Sequence, residues 1–117
     1  MTIDQNRFIS RRDRYEALET PGGRAYVSPP DRTLVITEII AAGPGGTPLS
    51  VGYADDNVSD PYRRPDGAVK IWSTTLKTDS PTAQFSVNLR IPGGKYVWSC
   101  AVKGAWAMPV SGSEEIV

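Results

Sequence analysis

Residues 83–110 constrain the fold of this chain more than any other stretch. The first run alternates apolar and polar residues, with apolar positions at Phe85, Val87, Leu89 and Ile91. A β-strand turns successive side chains to opposite faces, so this run has one apolar face and one polar face. Pro92-Gly93-Gly94 then favours a turn, and two further runs follow, with Tyr96, Trp98, Cys100 and Val102 on one face of the first and Trp106, Met108 and Val110 in the second. The pattern predicts a β-meander.

The composition favours one soluble all-β domain. The chain has 117 residues, with 11 glycines and 10 prolines, and such a density of turn formers is typical of many short strands. Thirteen basic residues balance thirteen acidic ones, which argues against bulk attraction to nucleic acid or an anionic membrane. Residues 1–14 are polar and arginine-rich, so they predict no secretory signal, and no run reaches the roughly 18 apolar residues of a membrane span.

Residues 1–31 differ in character from the rest of the chain and predict an extended N-terminal arm. Ser10 has the character of a helix cap, which predicts a short helix over residues 11–19 that ends at Thr20-Pro21-Gly22-Gly23. Two interpretations of the arm stay open. It is either a frayed terminus or a segment that lies on another subunit, where its arginines would suit a polar interface.

Residues 32–117 are predicted to form the folded domain. Residues 33–42 are apolar on both faces, as expected for a central covered strand or for one that meets a neighbouring subunit. Strands are also predicted at residues 49–53 and 68–76, with a polar loop over residues 54–67 between them. The fold class is therefore all-β, a single antiparallel β-sandwich or jelly-roll-like domain of about seven strands.

The residue types argue against catalysis. Histidine is absent, which removes the commonest general base and the Ser-His and Cys-His nucleophile pairs. The only cysteine, Cys100, lies on an apolar strand face and is predicted to be a buried small hydrophobe. Trp72, Trp98 and Trp106 are predicted to pack in the core, although an aromatic platform for sugars is an alternative that is most open for Trp72. We predict no catalytic residue and no cofactor.

The polar loop is the best candidate site in the sequence. Asp55, Asn57, Ser59 and Asp66 match ligand positions of a calcium loop, but Asp60 replaces the required glycine and two arginines follow it. We therefore predict no metal site, but a solvated loop with internal Asp–Arg pairs or a loop that meets a partner. The predicted partner-binding residues come from the arm and from this loop: Arg7, Phe8, Arg11, Arg12, Tyr15, Tyr62, Arg63 and Arg64.

Two segments resemble proteins of known type. The arm sequence Asn6-Arg7-Phe8-Ile9-Ser10-Arg11-Arg12 and the run Ile91-Pro92-Gly93-Gly94-Lys95-Tyr96-Val97-Trp98 are similar to small virion proteins of tailed bacteriophages. The chain resembles head decoration (cement) proteins most, and also some tail-tip domains. The resemblance implies a non-enzymatic protein, made in the host cytoplasm, that binds the major capsid protein on the outer capsid surface as a homotrimer.

The resemblance leaves two functions to test. The first is a decoration protein that reinforces the capsid lattice and is anchored through residues 7–24. The alternative is a receptor- or carbohydrate-binding domain of a tail appendage, which would bind a glycan. No catalytic residue, cofactor, nucleic acid or membrane partner is implied by either.

Overall fold

The computed structural model describes residues 2–4, 14–18, 24–60, 62–101 and 110–116. These residues form eight strands: β1 (Thr2–Asp4), β2 (Arg14–Ala17), β3 (Arg32–Gly43), β4 (Pro48–Ala54), β5 (Val69–Thr75), β6 (Ser80–Ile91), β7 (Tyr96–Ala101) and β8 (Val110–Ile116). The strands form two antiparallel sheets, in the orders β1-β8-β3-β6 and β2-β7-β4-β5. Each sheet therefore has three longer strands and one short N-terminal strand at its edge. The described part of the chain contains no helix.

The strand pairing follows a simple rule. Strands of the first half pair with strands of the second half in reverse order, β1 with β8, β2 with β7, β3 with β6 and β4 with β5. The chain is thus one long hairpin whose tip is the loop between β4 and β5. Two more pairings, β3 with β8 and β4 with β7, close the hairpin into two sheets.

The predicted meander is wrong, although its first two runs are the strands β6 and β7. Trp106 and Met108 of its third run lie outside the described residues. β6 lies in one sheet and β7 in the other, so the Pro92-Gly93-Gly94 turn carries the chain between sheets and closes no hairpin. Gly94 has φ of +78°, which fits the predicted use of glycine in this turn. The alternating pattern identifies a strand and its apolar face, but it contains no information about which strand becomes the neighbour.

The two sheets enclose a common hydrophobic core to which both contribute. Its buried residues on the longer strands are Leu34, Ile36, Ile39 and Ala41 of β3, Leu49 and Val51 of β4, Ile91 of β6, Val97 and Ala101 of β7, and Val110 of β8. Along β6, partly buried and exposed residues alternate as predicted from residue 83 to residue 90. At the open edge, Trp72 of β5 and Phe85 of β6 make an edge-to-face contact with ring centroids 5.3 Å apart. Trp72 therefore packs against the core.

A β-bulge explains part of the two-faced character of β3. Relative to β8, β3 has one extra residue, Thr37, between Ile36 and Glu38. The bulge reverses the alternation, so Leu34 and Ile36 before it and Ile39 and Ala41 after it all contribute to the same core. β3 lies between β8 and β6, as predicted for a central strand.

Parts of the predicted arm belong to the sheets. β1 and β2 pair with β8 and β7, and Leu18 and Tyr26 join the core. Residues 14–17, within the predicted helix, are an extended strand instead, because pairing with β7 satisfies their backbone groups. These two strands raise the number in the described residues to eight, and Val27 forms only an isolated bridge with Tyr96.

Candidate interaction surface

One end of the domain, which we call the loop end, contains three of the predicted partner-binding residues, Tyr62, Arg63 and Arg64. It consists of residues 24–31, the β4–β5 loop (residues 55–68), the turn at residues 92–95 and the last residue of β8, Ile116. Strand pairing brings these segments together, because Ile116 pairs with Arg32 and Ala54 pairs with Tyr96. The amide of Gly94 also donates to the carbonyl of Ser28 at 2.8 Å.

Exposed apolar side chains are concentrated at the loop end. Among the described residues, four large apolar or aromatic side chains are exposed, namely Val27, Tyr62, Val69 and Ile116. Three of them lie in the loop end, and Val69 is the first residue of β5, directly after the β4–β5 loop. Tyr62 and Ile116 are the most exposed, at 65% and 77%. A concentration of such residues at one place on a protein is typical of an interaction surface.

A second, smaller apolar cluster packs against the β4–β5 loop. It lies on the outer face of the β2-β7-β4-β5 sheet, where Trp98 and Cys100 are buried together with Ala54 and packed against Tyr15, Val58 and Ala68. The indole N–H of Trp98 donates to the carbonyl of Tyr53 at 2.9 Å. The Tyr15 ring meets Trp98 edge-on with centroids 5.2 Å apart.

This outer cluster (Ala54, Trp98, Cys100, Tyr15, Val58 and Ala68) shows that the apolar face predicted for β7 does not face the core between the sheets. The face of Trp98 and Cys100 packs in the outer cluster, and the alternate residues Val97 and Ala101 pack in the core between the sheets. The prediction that Cys100 is buried is confirmed, with 4% of its surface exposed. β7 is therefore covered on both sides, which a period of two cannot reveal when both residue sets are small or apolar.

Polar contacts fix the base of the β4–β5 loop. The Asp55 carboxylate forms an ion pair with Lys95 of the adjacent turn, at 2.5 Å, and the Asp55 amide donates to the carbonyl of Asp66 at 3.1 Å. The hydrogen bond to Asp55, together with its negative charge, raises the pKa of Lys95 above its usual value. Gly67 has φ of +72° and leaves no space for a Cβ atom beside the Asp55 carboxylate. The two ends of the loop are thus held together.

The predicted Asp–Arg pairs within the loop are not formed. Asp55 binds Lys95 instead, and neither Arg63 nor Arg64 forms an ion pair with an acidic residue in the described ranges. Lys95 lies far from Asp55 in the sequence but next to it in space, because the β6–β7 turn and the β4–β5 loop share the same end of the domain. The two arginines are consequently exposed and available.

The upper part of the loop surrounds a polar cleft of about 160 Å³. Its lining residues are Asp56, Asn57, Ser59, Arg63, Arg64, Pro65 and Asp66. Local hydrogen bonds shape this segment, since the Asn57 side-chain oxygen accepts from the amide of Val58 at 2.8 Å and the Asp60 carboxylate accepts from the amide of Tyr62 at 2.9 Å. Within the described ranges, no group of three acidic or thiol side chains is arranged to hold a metal ion.

The predicted partner-binding residues separate into distinct locations. Tyr62, Arg63 and Arg64 are exposed at the loop end, and Tyr15 packs on Trp98 in the outer cluster. The other four, Arg7, Phe8, Arg11 and Arg12, lie outside the described residues, as does Trp106. Asp4 and Arg14, the described residues nearest to these four in the chain, pair with Ser111 and Ala101, near the end of the domain opposite to the loop end.

Residues 24–31 are held at the loop end by a contact that the sequence did not indicate. The hydroxyl of Tyr26, which is 3% exposed, donates to a carboxylate oxygen of Glu114 at 2.6 Å. Burial raises the pKa of Tyr26 strongly, and the hydrogen bond to Glu114 and the charge of Glu114 raise it further. No local pattern links a tyrosine and a glutamate that are so distant in the chain.

Comparison with known proteins gives no relative from which to transfer a function. The chain matches no protein-family model, no curated protein and no solved structure. Among the described residues, no helix is long and apolar enough to cross a membrane. The function must therefore be argued from the strand order and from the loop end.

Proposed function

We propose that this chain is a non-enzymatic structural protein of a bacteriophage virion, a capsid decoration protein with a jelly-roll fold. In this role it binds the major capsid protein on the outer surface of the capsid and reinforces the lattice as a homotrimer. Multivalent attachment of a trimer to symmetry-related sites would raise its avidity without any new type of contact.

The strand order carries the proposal. Eight strands in the orders β1-β8-β3-β6 and β2-β7-β4-β5, produced by rolling up one long hairpin, match the description of a jelly roll as two sheets of an eight-stranded antiparallel domain. Jelly rolls occur repeatedly as capsid domains and lectin domains. This topology therefore favours a structural or binding protein, and it agrees with the resemblance of the sequence to small virion proteins.

The positions of the two candidate binding regions suit a decoration protein. Asp4 and Arg14, the described residues on either side of Arg7, Phe8, Arg11 and Arg12 in the chain, lie near one end of the domain, and the loop end lies at the other. We assign capsid anchoring to the arm, within residues 7–24, and an outward orientation to the loop end. A domain that is attached at one end would present the opposite loops to the surroundings.

The chemistry of the residues supports a non-enzymatic role. The sequence has no histidine, and its one thiol, Cys100, is buried in the outer cluster. A buried thiol lacks the exposure that a nucleophile requires.

The proposal is tested by asking whether the protein is part of a particle. Particles would be purified by density gradient from an induced culture that carries the gene and from a culture with the gene deleted. We expect the protein to sediment with the heads, in a copy number set by the capsid lattice, and heads without it to break at lower temperature. Absence of the protein from purified particles would overturn the proposal.

The second candidate, a receptor- or carbohydrate-binding domain of a tail appendage, is favoured by the exposed Tyr62, which belongs to the same loop as the polar cleft and directly precedes its lining residue Arg63. Copy number separates the two candidates, because a tail tip holds few copies and a capsid lattice holds many. Light scattering of the purified protein provides a further check, since a trimer is expected.

A further inference from the structure

We infer that the cleft in the β4–β5 loop is a binding site for a neutral sugar residue of a polysaccharide. The inference goes beyond the proposed attachment to the capsid and does not depend on it. It is carried by the charge balance of the cleft and by the kinds of hydrogen-bonding groups that line it, and it is supported by an exposed aromatic residue, Tyr62, that directly precedes the lining residue Arg63 in the same loop.

The charges in the cleft exclude a strongly charged ligand. Arg63 and Arg64 contribute two positive charges, and Asp56 and Asp66 contribute two negative charges. Asp55 does not alter this balance because it forms an ion pair with Lys95. An anionic ligand would meet two carboxylates and a cationic ligand two guanidinium groups, so the lining favours a polar but neutral molecule.

The lining groups offer both kinds of hydrogen bond. Guanidinium groups only donate, carboxylates only accept, and the Ser59 hydroxyl does both. The Asn57 oxygen already accepts from the Val58 amide, which leaves the Asn57 amide nitrogen as a donor to the cleft. A sugar carries several hydroxyl groups in a fixed arrangement, and each hydroxyl can donate one hydrogen bond and accept others. Such a ligand can use the whole mixed lining.

Tyr62 supplies the apolar contact that a sugar ring also needs. Tyr62 is 65% exposed and directly precedes Arg63 and Arg64 in the chain. The Asp60 carboxylate fixes the backbone of Tyr62 by accepting a hydrogen bond from its amide. An aromatic ring with a polar tip can pack on the C–H face of a sugar while its hydroxyl stays in water.

The size and rigidity of the cleft fit one sugar ring. The cleft, with a volume of about 160 Å³, is large enough to hold several water molecules, which the hydroxyl groups of one monosaccharide can replace. Two contacts restrain the loop: Val58 packs in the outer cluster, and Asp55, at the start of the loop, forms an ion pair with Lys95. Such preorganisation reduces the entropy lost on binding.

The test uses the full chain on an array of neutral and acidic oligosaccharides, followed by titration of each bound oligosaccharide with detection by NMR chemical shifts. We expect neutral oligosaccharides to bind and to shift the amide signals of residues 56–60, 62–64 and 66. In the variants Asp66→Asn and Tyr62→Ala the affinity should fall about tenfold or more, because each loses a contact to the ligand. Lys77→Gln, an exposed change at the opposite end of the domain, serves as the matched control and should not alter the affinity.

Three results would overturn the inference. These are the absence of any bound oligosaccharide, a preference for acidic sugars, and binding that is unchanged in Asp66→Asn and Tyr62→Ala. Circular dichroism of each variant verifies that it is folded. The same variants are expected to enter particles normally, so weaker sugar binding together with normal assembly agrees with both proposals. A loss of assembly without a loss of sugar binding would count only against the capsid role.

Discussion

The outer faces of the two sheets are built in opposite ways. On the β1-β8-β3-β6 sheet, the exposed residues of β6 are polar, and cross-strand pairs join Gln84 to Glu38 and Arg90 to Glu115. On the β2-β7-β4-β5 sheet, Trp98 is buried on the outer face, beneath other members of the outer cluster. The described polar side chains of the first face thus pair with one another, whereas Val58 and Ala68, which lie outside the strands, help to cover Trp98 on the second.

This difference explains why the β4–β5 loop has a defined structure. Val58 and Ala68 flank the polar part of the loop and pack on the outer cluster, so burial of Trp98 and folding of the loop depend on each other. The hydrophobic effect thereby orders a segment that is otherwise polar. A binding loop that is held in this way loses less entropy when it binds a ligand.

The largest expected effect comes from Trp98→Ala, which removes the centre of the outer cluster. Loss of a buried tryptophan should lower the free energy of unfolding by about 3–5 kcal/mol. Asn88→Ala on the exposed face of β6 is the control and should change it by less than about 0.5 kcal/mol. Urea denaturation measures both, and similar losses in the two variants would remove the contrast between the faces.

Gly52→Ala should give the next largest effect. A Cβ atom at this position would overlap the carbonyl oxygen of Val69 and approach the Trp98 ring, so strand β4 or the ring must move. We expect a loss of about 1–3 kcal/mol in the free energy of unfolding and a change in tryptophan fluorescence. Ser50→Ala on the same strand should be nearly neutral. An unchanged stability in Gly52→Ala would mean that Trp98 is not packed closely against β4.

Tyr26→Phe tests how residues 24–31 of the loop end are held to strand β8. Removal of the hydroxyl leaves Glu114 without its donor and should lower the free energy of unfolding by about 1 kcal/mol at neutral pH. Because the pKa of Tyr26 is raised in the folded state, its contribution is complete below the unfolded value of about 10 and declines as the pH rises above it. Chemical denaturation from pH 8 to about 11 should therefore show a steeper loss in the wild type than in Tyr26→Phe. Equal slopes would contradict the assignment.

The smallest effects should come from the two exposed ion pairs, of which one lies on the polar face of the β1-β8-β3-β6 sheet and the other at the base of the β4–β5 loop. Glu115→Gln removes the pair with Arg90 on the polar face and should not change stability measurably. Asp55→Asn removes the pair with Lys95 and should accelerate amide hydrogen exchange in residues 56–60 without unfolding the domain. The raised pKa of Lys95 means that this restraint is present at neutral pH and is lost when the pH rises through that pKa. Equal exchange in Asp55→Asn and the wild type would show that the outer cluster alone holds the loop.

The sequence predicted local structure well and spatial partners poorly. The alternation in β6, the buried position of Cys100 and the polar loop before β5 follow from residue patterns that act over a few positions. The partners of β6 and β7, however, depend on strands that are distant in the chain, and local alternation is equally compatible with a meander.

The candidate site was predictable only in part, for a similar reason. Tyr62, Arg63 and Arg64 were identified because an aromatic residue beside arginines is typical of binding surfaces. The Asp55–Lys95 pair and the exposed Val27 and Ile116 arise from the arrangement of separate segments at the loop end, and no short sequence window contains that arrangement.

The reverse-order strand pairing has a consequence for how the chain folds during synthesis. Only β4 and β5 are close neighbours in both sequence and structure, whereas β1 and β3 both require β8, which is translated last among the strands. Neither sheet can be completed until nearly the whole chain has left the ribosome. We therefore expect slow folding with a high contact order and a late, cooperative closure of the domain.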